Sequence, residues 1–178
     1  MLNEITKLNL NLKLIEATSL DFNLIMNMGR FYEYEMSRYT KWPWQGEDSG
    51  YPTKYLVENF KRYFEEKDRY PFLIKVDQEV AGFALIDKKG SDSAVEWNIG
   101  EFFILAKFQG QGLGRQVAEE IFSKFHGKWE VACLPDNSGA YKFWKKIVAN
   151  YSNNNYQEVK KIIQHLNPYE MIVFNFSN

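Results

Sequence analysis

"FQGQGLGRQV", residues 108–117, sets three glycines at alternate positions, Gly110, Gly112 and Gly114, where a helix is about to begin. Glycine loses more backbone entropy on ordering than any other residue, so such a cluster has to be offset by something. A tight turn, a close backbone approach and a backbone cradle for an anion are the available reasons. Three phosphate-binding patterns compete. A dinucleotide fingerprint needs G-x-G-x-x-G, but its third glycine would fall at Arg115 counted from Gly110 and at Val117 counted from Gly112. A Walker loop needs G-x-x-x-x-G-K-[ST], and no Gly-Lys pair stands in this stretch. The third pattern is a strand, a glycine-rich turn and a helix whose unpaired N–H groups hold a pyrophosphate.

The flanking sequence supplies the strand and the helix. "SAVEWNIGEFFILAKF" predicts a long strand over about 95–105, and LGRQVAEEIFSKF carries Leu113, Val117, Ile121, Phe122 and Phe125 on a helical stripe. WEVACL, 129–134, reads as a strand, and PDNSGAYKFWKKIVANY as a helix capped by Asp136 or Asn137. Residues 155–164 and 169–176 read as two final strands, although YQEVKKIIQHL also has helical periodicity. Upstream, residues 10–17 alternate as a first strand. A helix capped by Ser19 or Asp21 follows, with Leu24, Ile25, Met28, Phe31, Tyr32 and Glu35 at three- and four-residue spacing. Residues 40–52 form a loop by their prolines and glycines, and Thr53 caps a second helix with Leu56, Phe60 and Phe64 on one stripe. A hairpin, 71–76 and 80–87, completes the order β-α-α-β-β-β-α-β-α-β-β. The fold class is α/β: a single domain over 1–178, a mixed sheet of about six to seven strands flanked by four helices.

Composition narrows the function. The chain has 178 residues, 45% apolar and 25% charged, which suits one domain with a real core. Lysine plus arginine number 22 against 23 acids, and a net charge of −1 gives no electrostatic case for nucleic acid or an anionic membrane. One cysteine, Cys133, and two histidines, His126 and His165, argue against a disulfide and against a cysteine or histidine metal site. No stretch approaches membrane-span length, and the N-terminus lacks the apolar core of a signal peptide. The expectation is a soluble, cytoplasmic protein without a metal.

Gln109-x-x-Gly112-x-Gly114, ending an apolar strand and opening a helix, resembles the [QR]-x-x-G-x-[GA] pyrophosphate signature of the GNAT acyltransferase superfamily. Downstream, Asn137-x-x-Ala140-x-x-Phe143-Trp144 resembles the second motif of that superfamily, one helix and one strand later. The element order matches as well. The resemblance implies an acyl-CoA N-acyltransferase-like fold and transfer of an acetyl group from acetyl-CoA to a primary amine, by direct attack in a ternary complex. It places coenzyme A on the backbone of Gln109, Gly110, Gln111, Gly112, Leu113, Gly114 and Arg115, with Asn137 and Trp144 beside it. A bulged strand before the glycines would offer an N–H to the thioester carbonyl, near Phe103, Ile104 and Leu105. The acceptor would be a small-molecule or peptide amine. A homodimer stays open, as does a non-catalytic acyl-CoA-binding domain of the same fold.

Two positions depart from the superfamily pattern. The place of its strand glutamate falls near Asn98, which cannot be a base, so the nearby acids Glu96 and Glu101 compete. Glu96 shares strand parity with Asn98, Glu101 does not, and a bulge between them would reverse that. Glu101, nearer the expected acyl site, is the preferred base. The second aromatic of the downstream motif is Trp144 where many members have Tyr, and an indole has no acidic proton to give. Tyr141, one turn earlier, could protonate the thiolate, or the thiolate leaves unaided. For the acceptor wall, Tyr32, Glu35, Tyr39 and Trp44 combine aromatic faces with a charge suited to an ammonium. Much of that helix also packs on the sheet.

Overall fold

The computed structural model describes residues 11–40, 53–163 and 168–178. Its strands are β1 (Leu12–Glu16), β2 (Arg69–Val76), β3 (Glu79–Asp87), β4 (Trp97–Ile104), β5 (Lys128–Cys133), β6 (Tyr156–Ile163) and β7 (Tyr169–Ser177). Its helices are α1 (Phe22–Met36), α2 (Lys54–Glu65), α3 (Leu113–Lys124) and α4 (Ser138–Tyr151). The expected element order is therefore the observed one, with ends displaced by a residue or two. The strands form one sheet in the order β1-β2-β3-β4-β5-β7-β6. All neighbours are antiparallel except β4 and β5.

Local chemistry sets the helix ends. The Thr53 hydroxyl accepts the Leu56 N–H at 3.3 Å and starts α2 as expected. Asn137 likewise caps α4, accepting the Ala140 N–H at 2.9 Å. The start of α1 differs. Asp21 does not cap forward; its carboxylate reaches back to the Thr18 N–H at 2.9 Å and closes a single 3-10 turn, Ser19–Asp21, ahead of the helix. The ambiguous YQEVKKII stretch is β6, because all eight of its residues pair with β7. Pairing across the sheet overrides its local helical period.

The sheet separates two cores. Helices α3 and α4 cover one face, where Val117, Ile121 and Phe122 meet Trp129, Ile147 and Phe174. Helices α1 and α2 cover the other, where Ile25, Phe60 and Tyr63 meet Leu73, Phe83 and Phe103. Phe60 is fully buried, a contribution of roughly 2–3 kcal/mol by apolar area.

Two irregularities in β4 position the site. Glu101 opposes Leu85 and Ile99 opposes Ile86, so Gly100 is an extra, unpaired residue. A one-residue bulge reverses which face later side chains occupy. Ile99 and Ile104 accordingly both lie in the α3/α4 core, while Phe103 lies in the α1/α2 core. The second irregularity is a gap: β4 pairs with β5 only from Trp97↔Trp129 to Ile99↔Val131. Beyond Ile99 the strands separate, and the glycine turn follows at the end of β4.

Candidate active site

The three glycines do two different jobs. Gly110 and Gly112 have φ of 75° and 79°, the left-handed region that favours glycine. Among the described residues a Cβ on either would meet nothing within 4 Å, so these positions border open space. Gly112 is the residue before α3 and, as a glycine, has no side chain with which to cap that helix. The N-terminal N–H groups of Leu113, Gly114 and Arg115 and the positive end of the helix dipole thus lie beside a turn with room for an anion. Gly114 instead serves packing: a Cβ there would stand 3.0 Å from the Phe143 ring. The Gln109 amide donates to the Ile104 carbonyl at 2.7 Å and ties the turn to the end of β4. Gln111 donates to the Lys107 carbonyl at 2.8 Å. The Arg115 side chain is exposed, 3.8 Å from Glu119. This arrangement fits a pyrophosphate held mainly by backbone N–H groups.

The expected carbonyl donor can be narrowed. The Leu105 N–H donates to the Ala81 carbonyl at 2.8 Å, toward β3. N–H directions alternate along an antiparallel strand, so Phe103 also faces β3, opposite Phe83. Within 103–105 only Ile104 turns its N–H toward the gap between β4 and β5, and Phe102 shares that direction. Of the window 103–105, Ile104 is therefore the residue whose N–H lies outside the β3 ladder, because Phe103 and Leu105 are committed to it.

The bulge turns Glu101 toward α1 and α2. Its carboxylate accepts a short hydrogen bond from the Tyr32 hydroxyl and a second from Asn59 Nδ2 at 3.3 Å. Burial raises its pKa to about 7, the negative charge of Asp87 adds to the rise, and the Tyr32 bond opposes it. The phenol of Tyr32 is in turn pushed well above its usual range, first by burial and then by Glu101. Glu96 is engaged elsewhere, accepting the Lys128 N–H at 2.8 Å where β5 begins. Asn98 donates to Asp87 at 3.2 Å.

The structure does not bring Tyr141 to Glu101. The Tyr141 hydroxyl donates to Glu158 at 3.0 Å and accepts from Lys145 at 2.7 Å. Its ring lies 6.0 Å from that of Phe174. These partners lie on α4, β6 and β7, and β6 and β7 stand beyond β5 from the gap. Trp144 is buried with its ring 5.2 Å from Phe102, so it walls the α4 side of the gap strand. Asn137 is occupied as a helix cap.

Of the expected acceptor wall, Tyr32 is at the carboxylate. Glu35 is exposed and pairs with Arg38 at 3.4 Å. Tyr39 is half-buried beyond the end of α1, and Trp44 lies outside the described residues. Glu33 bonds the Thr53 N–H at 2.7 Å and joins α1 to the start of α2. Sequence reasoning missed Asn59. It also missed Tyr55 and Tyr169, whose raised pKa values owe first to burial, with Glu101 among the further causes. The signal was present on α2, where Tyr55, Asn59 and Tyr63 recur at four-residue spacing with polar tips beside the Leu56 and Phe60 stripe. Among the described residues no three His, Cys, Asp or Glu side chains gather as a metal site, and no helix is long and apolar enough to cross a membrane.

A sheet opened between two parallel strands, with a glycine turn at the end of one of them, is the frame of an acyltransferase. The family model described as the acetyltransferase (GNAT) family matches residues 30–148, and the chain belongs to that family. Its fold is similar to that of an acetyltransferase from Thermus thermophilus, at 18% identity and TM-score 0.66, covering 94% of this chain and 97% of that one. A point variant of the spermidine N-acetyltransferase from Vibrio cholerae is similar at 13% identity and TM-score 0.61, with 93% of each chain covered. The ribosomal-protein-S18-alanine N-acetyltransferase from Escherichia coli is similar at 11% identity and TM-score 0.60, again with 93% of each covered. At these identities the likeness is one of fold. No curated protein matches the chain significantly in sequence.

Proposed function

We propose that the protein is an acetyl-CoA-dependent N-acetyltransferase acting on a primary amine, with Glu101 as the base. The observation that carries this reading is the Glu101 carboxylate, turned by the bulge into a half-buried site and poised at about 7. A general base works best with a pKa near the operating pH. Acetyl-CoA would supply an acetyl thioester. Gln109 to Arg115 would hold its pyrophosphate through backbone N–H groups, and the Ile104 N–H would face the carbonyl. Glu101 takes the proton from an ammonium, whose approach Tyr32, Asn59, Tyr55 and Tyr169 border. Tyr141 is held by Lys145 and Glu158, so the thiolate leaves without a phenolic acid in this reading. Spermidine and a ribosomal-protein alanine, named for two of the similar structures, span the range of acceptor amines to be tried.

A second reading, a non-catalytic acyl-CoA-binding domain, is favoured by Trp144 and Asn98 at the two departing positions. Incubation with acetyl-CoA and a panel of amines, followed by free thiol release, separates the two. Amine-dependent thiol release that falls about a hundredfold or more in Glu101→Gln supports the enzyme. Tight coenzyme A binding with no release for any amine supports the binding domain.

A further inference from the structure

Behind the Gly100 bulge lies a second carboxylate that the proposed reaction does not use. Asp87 is 3% exposed. Its Oδ1 accepts from the Lys89 N–H at 2.8 Å and from Asn98 at 3.2 Å. Its Oδ2 accepts from Arg69 at 3.4 Å and, through a short bond, from the Tyr63 hydroxyl. The Arg69 guanidinium in turn covers the Tyr63 ring at 4.5 Å. A buried carboxylate with four donors, an arginine among them, is a rigid, satisfied unit.

That unit touches the bulge. A Cβ on Gly100 would fall 2.1 Å from the Tyr63 hydroxyl and 3.0 Å from Asp87 Oδ2. The phenol therefore sits directly over the Gly100 α-carbon, in the space a side chain would fill. Tyr63 and Asn59 are one turn apart on α2, so the same helix stripe that seats Tyr63 on Gly100 also delivers Asn59 to Glu101. We propose that Tyr63 and Asp87 are positioning residues for Glu101: the Tyr63 hydroxyl, seated on Gly100 and held by Asp87, fixes the bulge that turns the Glu101 carboxylate toward Tyr32 and Asn59. This rests on the proposed role of Glu101.

Among the described residues the groups facing Glu101 are Tyr32 from α1, Tyr55, Asn59 and Tyr63 from α2, Asp87 from β3 and Tyr169 from β7. Of these Asp87 is the other carboxylate. Its negative charge favours protonated Glu101, so neutralising it moves the Glu101 titration to lower pH.

The test uses the full chain with carboxyl-labelled glutamate, the Glu101 resonance being assigned by its loss in Glu101→Gln. Tyr63→Phe keeps the ring under Arg69, and its fold is verified by the melting shift that coenzyme A produces. The expected results are a lower Glu101 midpoint in Asp87→Asn, and in Tyr63→Phe a changed midpoint with kcat reduced about tenfold to a hundredfold. The KM for acetyl-CoA should stay as in the wild type. Gly100→Ala should reproduce the Tyr63→Phe loss from the other side of the contact. A Tyr63→Phe protein with lower melting temperature but wild-type Glu101 midpoint and kcat overturns the proposal, since the network would then be structural only. Should Asp87→Asn not fold, Tyr63→Phe alone decides. A wild-type chain that acetylates no amine, yet whose Glu101 midpoint moves in both variants, overturns the assigned reaction and supports the positioning.

Discussion

Gly114 and Phe143 bring α3 and α4 to contact distance: a Cβ on Gly114 would stand 3.0 Å from the phenyl ring. Two structural demands therefore meet in one turn. Gly110 and Gly112 give the turn its left-handed backbone, and Gly114 lets the downstream motif close over the helix that follows.

The two kinds of glycine should fail differently. Gly112→Val forces a β-branched residue to φ 79°, which costs roughly 1–2 kcal/mol or more, and it places methyl groups where an anion would approach. The expected outcome is loss of the melting shift produced by coenzyme A while the fold persists. Gly114→Val should lower the melting temperature of the unliganded chain through the Phe143 clash. Thermal melts with and without coenzyme A distinguish them.

The Glu101 pKa makes an activity prediction. A base must be unprotonated, so kcat/KM should rise with pH through about 7 and level off above it. Glu101→Gln should remove that limb, leaving the acceptor's own ionisation. Glu96→Gln should keep it, because Glu96 holds the Lys128 N–H instead.

The same shift makes a stability prediction of opposite sense. The folded-state pKa of about 7 lies above the ordinary value of 4.5. Below pH 4.5 Glu101 is protonated in both states and costs nothing. Between 4.5 and 7 the unfolded chain ionises first and the folded state loses stability progressively; above 7 the loss is complete. Glu101→Gln should therefore be more stable than wild type above neutrality, by on the order of 2 kcal/mol, with the difference vanishing toward pH 4 in denaturant melts. A variant that is slower and more stable is the signature of a carboxylate kept ionisable for function.

Arg69 should be among the most destabilising charged residues to truncate. Both side chains of the Arg69–Asp87 pair are 5% exposed. Arg69→Ala leaves Asp87 buried beside Tyr63 without its cation, a loss of about 3–5 kcal/mol. Lys54→Ala, from an exposed pair at 3.9 Å, should change stability by about 0.5 kcal/mol or less. Urea denaturation of the two variants checks the contrast.

Tyr141→Phe addresses the leaving group. With its hydroxyl held between Lys145 and Glu158, its removal should change kcat by only a few-fold, against the hundredfold or more expected of a general acid. Steady-state rates on an acceptor found in the amine panel decide it.

The sequence by itself determined the elements, their order and the glycine turn. These are local properties: apolar period, caps such as Thr53 and Asn137, and backbone freedom at Gly110 and Gly112 act within a few residues. It also offered Glu101, conditional on a bulge it could not locate. Only the tertiary structure decided that Gly100 is the bulged residue, because the room for Tyr63 over its α-carbon comes from α2 and β3. That bulge turned Glu101 toward the α1/α2 face, and packing between α1 and α2 supplied Tyr32 and Asn59 as its partners. Tyr141 shows the converse. Its helical spacing from Asn137 and Trp144 was legible, but the pairing of β6 with β7 placed Glu158 within its reach and drew the hydroxyl away from the gap. Periodicity reports which residues share a face. Which partner that face meets depends on strands and helices brought together from distant parts of the chain, and no local rule encodes that contact.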